Sequence, residues 1–133
     1  MIETPMTEAL GRFLDVSAAR HKLIATNLAN IDTPGYRTRD LDFRAELARA
    51  ASEADGPESG ALTYASFTPA ASFTPVARQI RGLVERPDGN NVSVERETLL
   101  LAENQIKFSL AAQLLKDQFH GISLAINSGG AAS

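Results

Sequence analysis

Four acidic residues offer the best prospect for acid–base chemistry: Asp32, Asp40, Asp42 and Glu46 lie close together in the sequence. A general acid and a general base need well-separated pKa values, which requires that one carboxyl group be shielded. Arginines at positions 37, 39 and 44 interleave the three aspartates in a polar stretch, which favours ionised groups on a solvated surface. We therefore expect no catalytic carboxylate pair.

The two histidines, His21 and His120, are the remaining candidates for metal binding or proton transfer. Each lies on or beside an apolar helical stripe, and we expect them to lie several helical turns apart. The absence of cysteine excludes disulfides, Cys-ligated zinc and thiol catalysis. Neither a nucleophile elbow, a phosphate-binding loop, an H-E-x-x-H pair nor a dinucleotide-binding fingerprint occurs. The sequence predicts no enzymatic activity, no metal site and no cofactor.

Composition narrows the class of protein further. A chain of 133 residues corresponds to one domain, and 13 Lys and Arg against 16 Asp and Glu give a net charge of -3. This balance argues against nucleic-acid binding, which needs a basic face. The longest apolar run, residues 99–102, falls well short of the roughly 18 residues of a membrane helix. With Glu3 and Glu8 and no early Lys or Arg, the start does not resemble a cleaved secretory signal.

A first helix is predicted over residues 6–31. Its apolar stripe recurs at alternating spacings of four and three, which is typical of a helix that packs along another helix. Thr7 is predicted to cap its start, and Thr33 before Pro34 to end it, because a residue before proline avoids the α region. Pro34-Gly35 suits the centre of a type II turn. The stripe comprises Leu10, Leu14, Ser17, His21, Ile24, Leu28 and Ile31.

A second long helix is predicted over residues 94–126, with Ser93 as its N-cap. The tail after Asn127 is expected to hold no structure of its own. Antiparallel pairing with Met6 level with Ile126 would place His21 near Ala111. The stripe of this helix comprises Leu101, Gln105, Phe108, Ala112, Leu115, Phe119, Ile122 and Ile126.

The middle of the chain holds all but one of the prolines. We expect a short helix within residues 40–54, a loop at 55–60 and a short strand at 83–86. Ala-Ser-Phe-Thr-Pro occurs at 65–69 and again at 71–75, and each threonine before a proline favours extended backbone.

The predicted fold is therefore mainly α, with long N- and C-terminal helices packed as an antiparallel coiled-coil-like pair. Residues 1–36 and 94–133 form the terminal helical domain, and 37–93 form a small central segment with turns and short β structure. One seam between two helices is a thin core, because burying a large apolar side chain contributes about 1.5 to 3 kcal/mol. Ordering each residue's backbone costs about 1 to 2 kcal/mol. The chain is expected to gain order by packing against further helices, as an assembly subunit would.

Residues 25–37, which read A-T-N-L-A-N-I-D-T-P-G-Y-R, closely resemble the N-terminal signature of the bacterial flagellar rod and hook family. That signature reads roughly A-x-N-L-A-N, then T-P-G-Y and a basic residue. R-D-L-D-F at 39–43 and D-G-N-N-V at 88–92 make the chain most similar to the proximal-rod proteins of that family. The matching signature residues are Asn27, Leu28, Asn30, Thr33, Pro34, Gly35 and Tyr36.

This resemblance implies a structural subunit of the basal-body rod, the shaft that crosses the periplasm and transmits motor torque. The terminal helices would pack together as the inner layer of a helical tube. Implied partners are copies of the chain, other rod proteins, and the membrane ring with its adaptor at the rod base. The flagellar type III export apparatus would carry the subunit out without a cleaved signal. The expected assembly seam comprises Leu10, Leu14, Ile24, Leu28, Ile31, Leu101, Phe108, Leu115, Phe119 and Ile122.

Three alternatives stay open from the sequence. The nearest is a sibling proximal-rod protein, which shares the signature but usually lacks the Asp-Leu-Asp-Phe stretch. A helical adaptor or export chaperone would instead remain a stable soluble dimer in the cytoplasm. A wall-cutting enzyme would lose its activity on Asp40→Asn without losing assembly.

Overall fold

A computed structural model describes residues 4–54 and 74–130 of the chain. The described elements, in chain order, are α1 (Pro5–Ala29), β1 (Arg39–Asp40), α2 (Phe43–Ala54), β2 (Arg78–Gln79) and α3 (Val94–Gly130). The mainly helical fold with two long terminal helices is confirmed. Helices α1 and α3 run antiparallel, because Ser17 pairs with Asn104 while Asn27 pairs with Glu97.

The start of α1 is fixed by a capping box one turn earlier than predicted. The Thr7 backbone N–H donates to Thr4 Oγ1 at 3.2 Å, and the Thr4 N–H donates to Thr7 Oγ1 at 2.8 Å. Pro5 occupies the first turn, where its missing N–H costs nothing. The prediction that Thr7 caps the helix is therefore wrong, since Thr7 is the third residue of the helix and Thr4 is its cap.

The helix ends at Ala29, and the chain then reverses at the predicted turn. Gly35 has a φ of 75°, and the Tyr36 N–H donates to the Thr33 carbonyl at 3.2 Å. A positive φ at the third residue of the turn is the type II geometry, which glycine adopts without strain. The prediction of a type II turn at Pro34-Gly35 is confirmed.

Helix α3 begins as predicted and ends later than predicted. The Arg96 N–H donates to Ser93 Oγ at 3.3 Å, which confirms Ser93 as the cap. At the other end the helix continues to Gly130, and Ser128 Oγ donates to the Ala125 carbonyl. The expectation of an unstructured tail is wrong for residues 128–130, where the helix continues although glycine loses more backbone freedom in a helix than other residues do.

The central segment contains the predicted helix but not the predicted strand. Helix α2 begins at Phe43, with Asp42 Oδ1 accepting from the Ala45 N–H. The strand predicted at 83–86 is wrong: Val84 is 91% exposed, and β2 instead pairs antiparallel with β1 at Arg78–Gln79. The loop predicted at 55–60 and the first repeat at 65–69 lie outside the described residues, as does most of the second repeat.

The register of the helix pair differs from the one predicted. The Asn104 side-chain amide donates to the Ser17 carbonyl at 2.9 Å, and His21 lies in the same cleft as Asn104 and Phe108. His21 is therefore not level with Ala111. The buried residues of α3 are Glu97, Asn104 and Ala111, at intervals of seven. Two of the three are polar, so hydrogen bonds rather than apolar packing set the register.

The apolar core is small, which agrees with the thin seam expected from the sequence. Helix α2 packs on α1 through an edge-to-face contact between Phe13 and Phe43, whose ring centroids lie 5.0 Å apart. Among the described helices, none is both long and apolar enough to cross a membrane. The buried apolar residues are Val16, Ile24, Leu41, Ala50, Val92 and Ala111.

Candidate functional site

Asn27 lies at the centre of a polar network that joins α1, β1 and α3. Its Nδ2 donates to the Arg39 carbonyl at 2.7 Å and to Glu97 Oε2 at 3.0 Å. Its Oδ1 accepts from the Tyr36 hydroxyl at 2.9 Å and from the Arg39 N–H at 3.1 Å. A carboxamide has two donor hydrogens and two acceptor lone pairs, so every hydrogen-bonding position of Asn27 is filled. At 1% exposure, the side chain is held as a fixed connector.

Tyr36 fixes the turn to the helix through this network. Burial raises the pKa of its hydroxyl above 10.0; the positive charge of Arg39 lowers it, and the carboxylate of Glu97 raises it further. A raised pKa keeps the phenol protonated, so it remains the donor to Asn27 Oδ1.

The T-P-G-Y turn packs against the segment that precedes α3. The Gly35 N–H donates to the Asp88 carbonyl at 2.8 Å, and the Asn91 N–H donates to the Tyr36 carbonyl at 3.3 Å. The close approach suits glycine at position 89, where a Cβ would lie 3.4 Å from the Gly35 Cα. The two sequence motifs, 33–36 and 88–92, therefore form one structural unit.

Two asparagines of the second motif close that unit. Asn90 is fully buried, and its Nδ2 donates to the carbonyls of Asn30, Ile31 and Thr33 at 2.9 to 3.0 Å. These carbonyls follow α1 and accept no hydrogen bond from within the helix. Asn90, which lies far along the sequence, supplies the donor that they need. Asn91 Oδ1 accepts from the Thr38 N–H at 2.7 Å. We call the contact between residues 27–39 and 88–97 the clasp.

A cluster of four charged side chains, whose charges sum to zero, lies beside the clasp. Asp40 accepts from Arg20 Nε at 3.1 Å and Nη2 at 3.0 Å, and from Arg96 Nη2 at 3.5 Å. Arg96 Nη1 also donates to Glu97 Oε1 at 2.6 Å. Glu97 is fully buried, and its carboxylate bonds both Arg96 and Asn27. Two arginines balance two carboxylates, which is the condition under which buried charges are tolerated.

The prediction that the three aspartates form a solvated face is therefore wrong for Asp40, and Glu46 is buried as well. Asp40 and Glu46 are only 6% and 7% exposed, while Asp32 and Asp42 lie at the surface. Glu46 accepts from Arg49 at 2.7 Å. Both buried carboxylates are paired with arginines and do not lie in uncharged surroundings. This arrangement favours a structural role as ion pairs.

The other signature residues lie around the clasp. Asn30 donates to the Thr26 carbonyl and accepts from the Thr33 hydroxyl at 3.1 Å. Leu28 is half-buried, and Pro34 is exposed at the turn. Asn30 thus bonds the end of its own helix, whereas Asn27 bonds the backbone of Arg39 in β1.

The expected seam residues differ widely in burial. Ile24 is buried, and Phe108 and Phe119 are 36% and 42% exposed. The half-buried members are Leu10, Leu14, Leu28, Ile31, Leu101, Leu115 and Ile122.

Sequence reasoning missed the roles of Asn90, Asn91, Glu97 and Arg20. The two asparagines follow a turn and precede a helix, a position that suggests capping of their own segment and not of a distant one. Among the described residues, no three His, Cys, Asp or Glu side chains lie where they could hold a metal ion. His120 is exposed on the distal part of α3, away from the cleft that contains His21.

A long antiparallel helix pair closed by a polar clasp, with large apolar side chains left exposed along α3, is the arrangement of a helical assembly protein. No family model matches the chain. The chain is 34% identical to the flagellar basal body rod protein FlgB of Escherichia coli (strain K12), over 87% of this chain and 88% of that protein. The FlgB proteins of Salmonella typhimurium and Cereibacter sphaeroides are 33% and 35% identical, covering 87% and 80% of this chain and 88% and 82% of theirs.

The chain belongs to the FlgB family of flagellar basal body rod proteins. The sequence resemblance to the proximal-rod proteins is thereby confirmed, and the relatives favour this family over its sibling.

Proposed function

We propose that this chain is a structural, non-enzymatic subunit of the flagellar basal-body rod, which it forms by packing the exposed faces of its terminal helices. Family membership supports the rod assignment. The observation that supports this mode of assembly is a second set of apolar residues on α3, which we call the outer stripe. Its members Leu99, Ile106 and Leu110 are 70%, 70% and 61% exposed. Contiguous apolar surfaces of this kind mark interaction sites.

Leu99, Ile106 and Leu110 are spaced by seven and four residues, so they share one face of α3. Each large apolar side chain that becomes buried would contribute about 1.5 to 3 kcal/mol. A handful of such residues per subunit can offset the entropy of joining a polymer. The remaining exposed apolar residues of α3 are Val94, Phe108, Leu114, Phe119, Leu124 and Ile126.

The partners in this proposal are copies of the chain, other rod proteins, and the membrane ring with its adaptor at the rod base. The rod would lie in the periplasmic space and transmit motor torque. Passage through the flagellar type III export apparatus, without a cleaved signal, requires unfolding. The small apolar core supports this route, since few buried apolar contacts resist unfolding.

The proposal is tested by mass spectrometry of purified hook–basal bodies, together with deletion of this chain. We expect the chain in the basal bodies, and we expect the deletion to arrest assembly before the rod grows. A plasmid copy should restore motility. Absence of the chain from basal bodies, with motility intact in the deletion strain, would contradict the rod assignment and favour a cytoplasmic adaptor.

A further inference from the structure

Strand β2 leaves one edge of the sheet open in the part of the chain that the structure describes. Arg39 lies opposite Gln79 in the antiparallel ladder. Such ladders alternate between hydrogen-bonded pairs and pairs whose peptide groups point away from each other. The Arg39 N–H and carbonyl both bond the Asn27 side chain and not β2, so Arg39 and Gln79 form a pair of the second kind. The Gln79 N–H and carbonyl therefore point away from β1.

The open edge continues beyond the two residues of β2. The Ile80 N–H donates to the Thr38 carbonyl at 3.0 Å, so the same register persists one step further along the chain. The alternation then places the peptide groups of Arg81 on the same side as those of Gln79. Both residues are exposed, and their backbone groups have no hydrogen-bond partner among the described residues. Free peptide groups in a row are what an added strand pairs with.

Arginines line one face of this edge. The register that pairs Arg39 with Gln79 places Arg37 level with Arg81, and alternate side chains of a strand share a face. Arg37 bonds Glu85 at 2.9 Å, whereas Arg39 and Arg81 have no carboxylate partner within the described structure. Like charges opposite each other on a sheet are destabilising, so an added negative charge would stabilise this face. We call the exposed set of Arg37, Arg39, Gln79 and Arg81 the arginine edge.

The charge of the arginine edge selects the kind of strand that can pair with it. A bare sheet edge can pair with a copy of itself, but two arginine edges would bring their positive charges together. The same charges attract an acidic strand, because a guanidinium can bond a carboxylate through two parallel hydrogen bonds. The chain as a whole has a net charge of -3, so this positive surface is local. The edge therefore excludes copies of itself and favours an acidic partner.

We propose that an extended acidic segment of another protein adds to the sheet as a third strand along β2. Its backbone bonds the free peptide groups of Gln79 and Arg81. Every second side chain of the segment is Asp or Glu, which places the carboxylates on the face that carries the arginines. The arginine edge lies on the central segment, apart from the outer stripe of α3. The inference thus goes beyond the proposed function and does not depend on it.

The test measures binding of a labelled, end-capped peptide of alternating glutamate and valine to the 133-residue chain by fluorescence anisotropy. One control peptide has the same composition with its glutamates grouped at one end. A second keeps the alternating sequence but has methylated backbone nitrogens, so it retains its charge and cannot pair as a strand. We expect the alternating peptide to bind about tenfold or more tightly than either control. Salt should weaken this binding, because it screens exposed charges.

Variants of the chain locate the contact. Gln79→Pro removes the outward N–H at a position where proline is tolerated, since that N–H lies on the free side of an edge strand. Arg81→Gln removes a charge of the arginine edge. We expect each change to weaken binding of the alternating peptide by about tenfold. The matched control is Arg44→Gln, which removes an exposed arginine of α2 outside the edge and should leave the affinity unchanged. Circular dichroism checks that all three variants keep the native helix content.

Equal affinities for the three peptides, or for Gln79→Pro and Arg44→Gln, would overturn the proposal. Amide hydrogen exchange measured by NMR separates strand addition from simple charge attraction, because only a paired strand protects the Gln79 N–H. Peptide binding that leaves this exchange rate unchanged would also overturn it.

A last variant examines whether the chain's own acidic residues occupy the edge. Asp55 and Glu58 lie outside the described residues, and the double variant Asp55→Asn with Glu58→Gln removes both charges. We expect this variant to bind the alternating peptide as the native chain does. Binding that appears only in the double variant would contradict a partner from another protein. None of these measurements involves basal bodies, so their failure and the failure of the rod assignment are distinguishable.

Discussion

Asn27 donates a 3.0 Å hydrogen bond to the carboxylate of Glu97, seventy residues further along the chain. This bond joins the end of α1 to the first turn of α3. The same amide also bonds the backbone of Arg39 twice, because it accepts from the Arg39 N–H and donates to the Arg39 carbonyl. One side chain therefore sets the position of two helices and a strand, which explains why an asparagine rather than an apolar residue lies in so buried a place.

Asn27→Ala should destabilise the chain by about 3 kcal/mol, because it leaves a buried carboxylate and a peptide group without their partners. Urea unfolding followed by circular dichroism measures this loss. Asn127→Ala, at an exposed position of α3, is the matched control and should change the unfolding free energy by less than about 0.5 kcal/mol. Similar unfolding midpoints for the two variants would contradict the connecting role of Asn27.

Tyr36→Phe should cost about 1 kcal/mol at neutral pH, since it removes one donor to Asn27 Oδ1 and leaves the other in place. Burial raises the pKa of the Tyr36 hydroxyl above its ordinary value of 10.0. The folded state therefore holds this proton more tightly than the unfolded state does. The resulting stability is fully present below pH 10.0 and is lost as the pH rises through the folded pKa.

The measurement compares urea unfolding of the native chain and of Tyr36→Phe between about pH 8 and pH 11. The native chain should lose stability more steeply above pH 10.0 than the variant, which cannot ionise at this position. Parallel declines would show that the Tyr36 hydroxyl is not protected by the clasp.

Gly89→Ala should destabilise the clasp by about 1 to 2 kcal/mol. Gly89 has a φ of 84°, and the added Cβ would lie 3.4 Å from the Gly35 Cα. Gly11→Ala makes the same chemical change inside α1, where nothing lies within 4 Å of the added Cβ. It should stabilise the chain by about 0.5 to 1 kcal/mol. Thermal unfolding of both variants measures the two effects, and shifts of the same sign would contradict the tight contact between the turns.

Asp40→Asn should cost about 2 kcal/mol, because it removes the negative charge that Arg20 and Arg96 share. The double variant Arg20→Met with Asp40→Asn should cost less than the two single changes added together, since each removes the same pair. Urea unfolding of the three variants gives this coupling, with Asp15→Asn at an exposed position of α1 as the control. Strictly additive costs would show that the ion pair does not couple α1 to β1.

Local sequence rules predicted the three helices and the Pro34-Gly35 turn of this fold, but not its two strands. The four-and-three spacing of apolar residues identified α1 and α3, because helical periodicity depends only on neighbouring residues. The turn at Pro34-Gly35 followed from backbone geometry alone. The N-cap was misplaced at Thr7 because either member of the Thr4–Thr7 capping box looks like a cap in the sequence.

Long-range relationships could not be predicted in the same way. Both motifs of the clasp were visible, but no spacing rule connects residues 33–36 to 88–92. Asp40 was predicted to be solvated because arginines lie beside it in the sequence. Its partner in the structure is Arg20, which lies on another element. The predicted apolar stripe of α3 lies beside the face that is buried against α1. Apolar spacing could not identify that face, because two of its residues, Glu97 and Asn104, are polar.

Ile106→Glu and Leu110→Glu should each block rod assembly without weakening the isolated subunit. Both side chains are largely exposed in the subunit, at 70% and 61%, so a carboxylate there stays hydrated until a neighbour covers it. In a covered apolar interface an unpaired charge costs several kcal/mol, enough to reduce association by two or more orders of magnitude. Gln113→Glu introduces the same charge on α3 at an exposed polar position and should assemble normally. The measurement is the amount of each variant in purified basal bodies together with the motility halo, with circular dichroism as the check on folding. Normal incorporation of both apolar-to-Glu variants would contradict the outer stripe of α3 as the assembly surface. A charge at position 106 or 110 can be tolerated only if that position stays in contact with water.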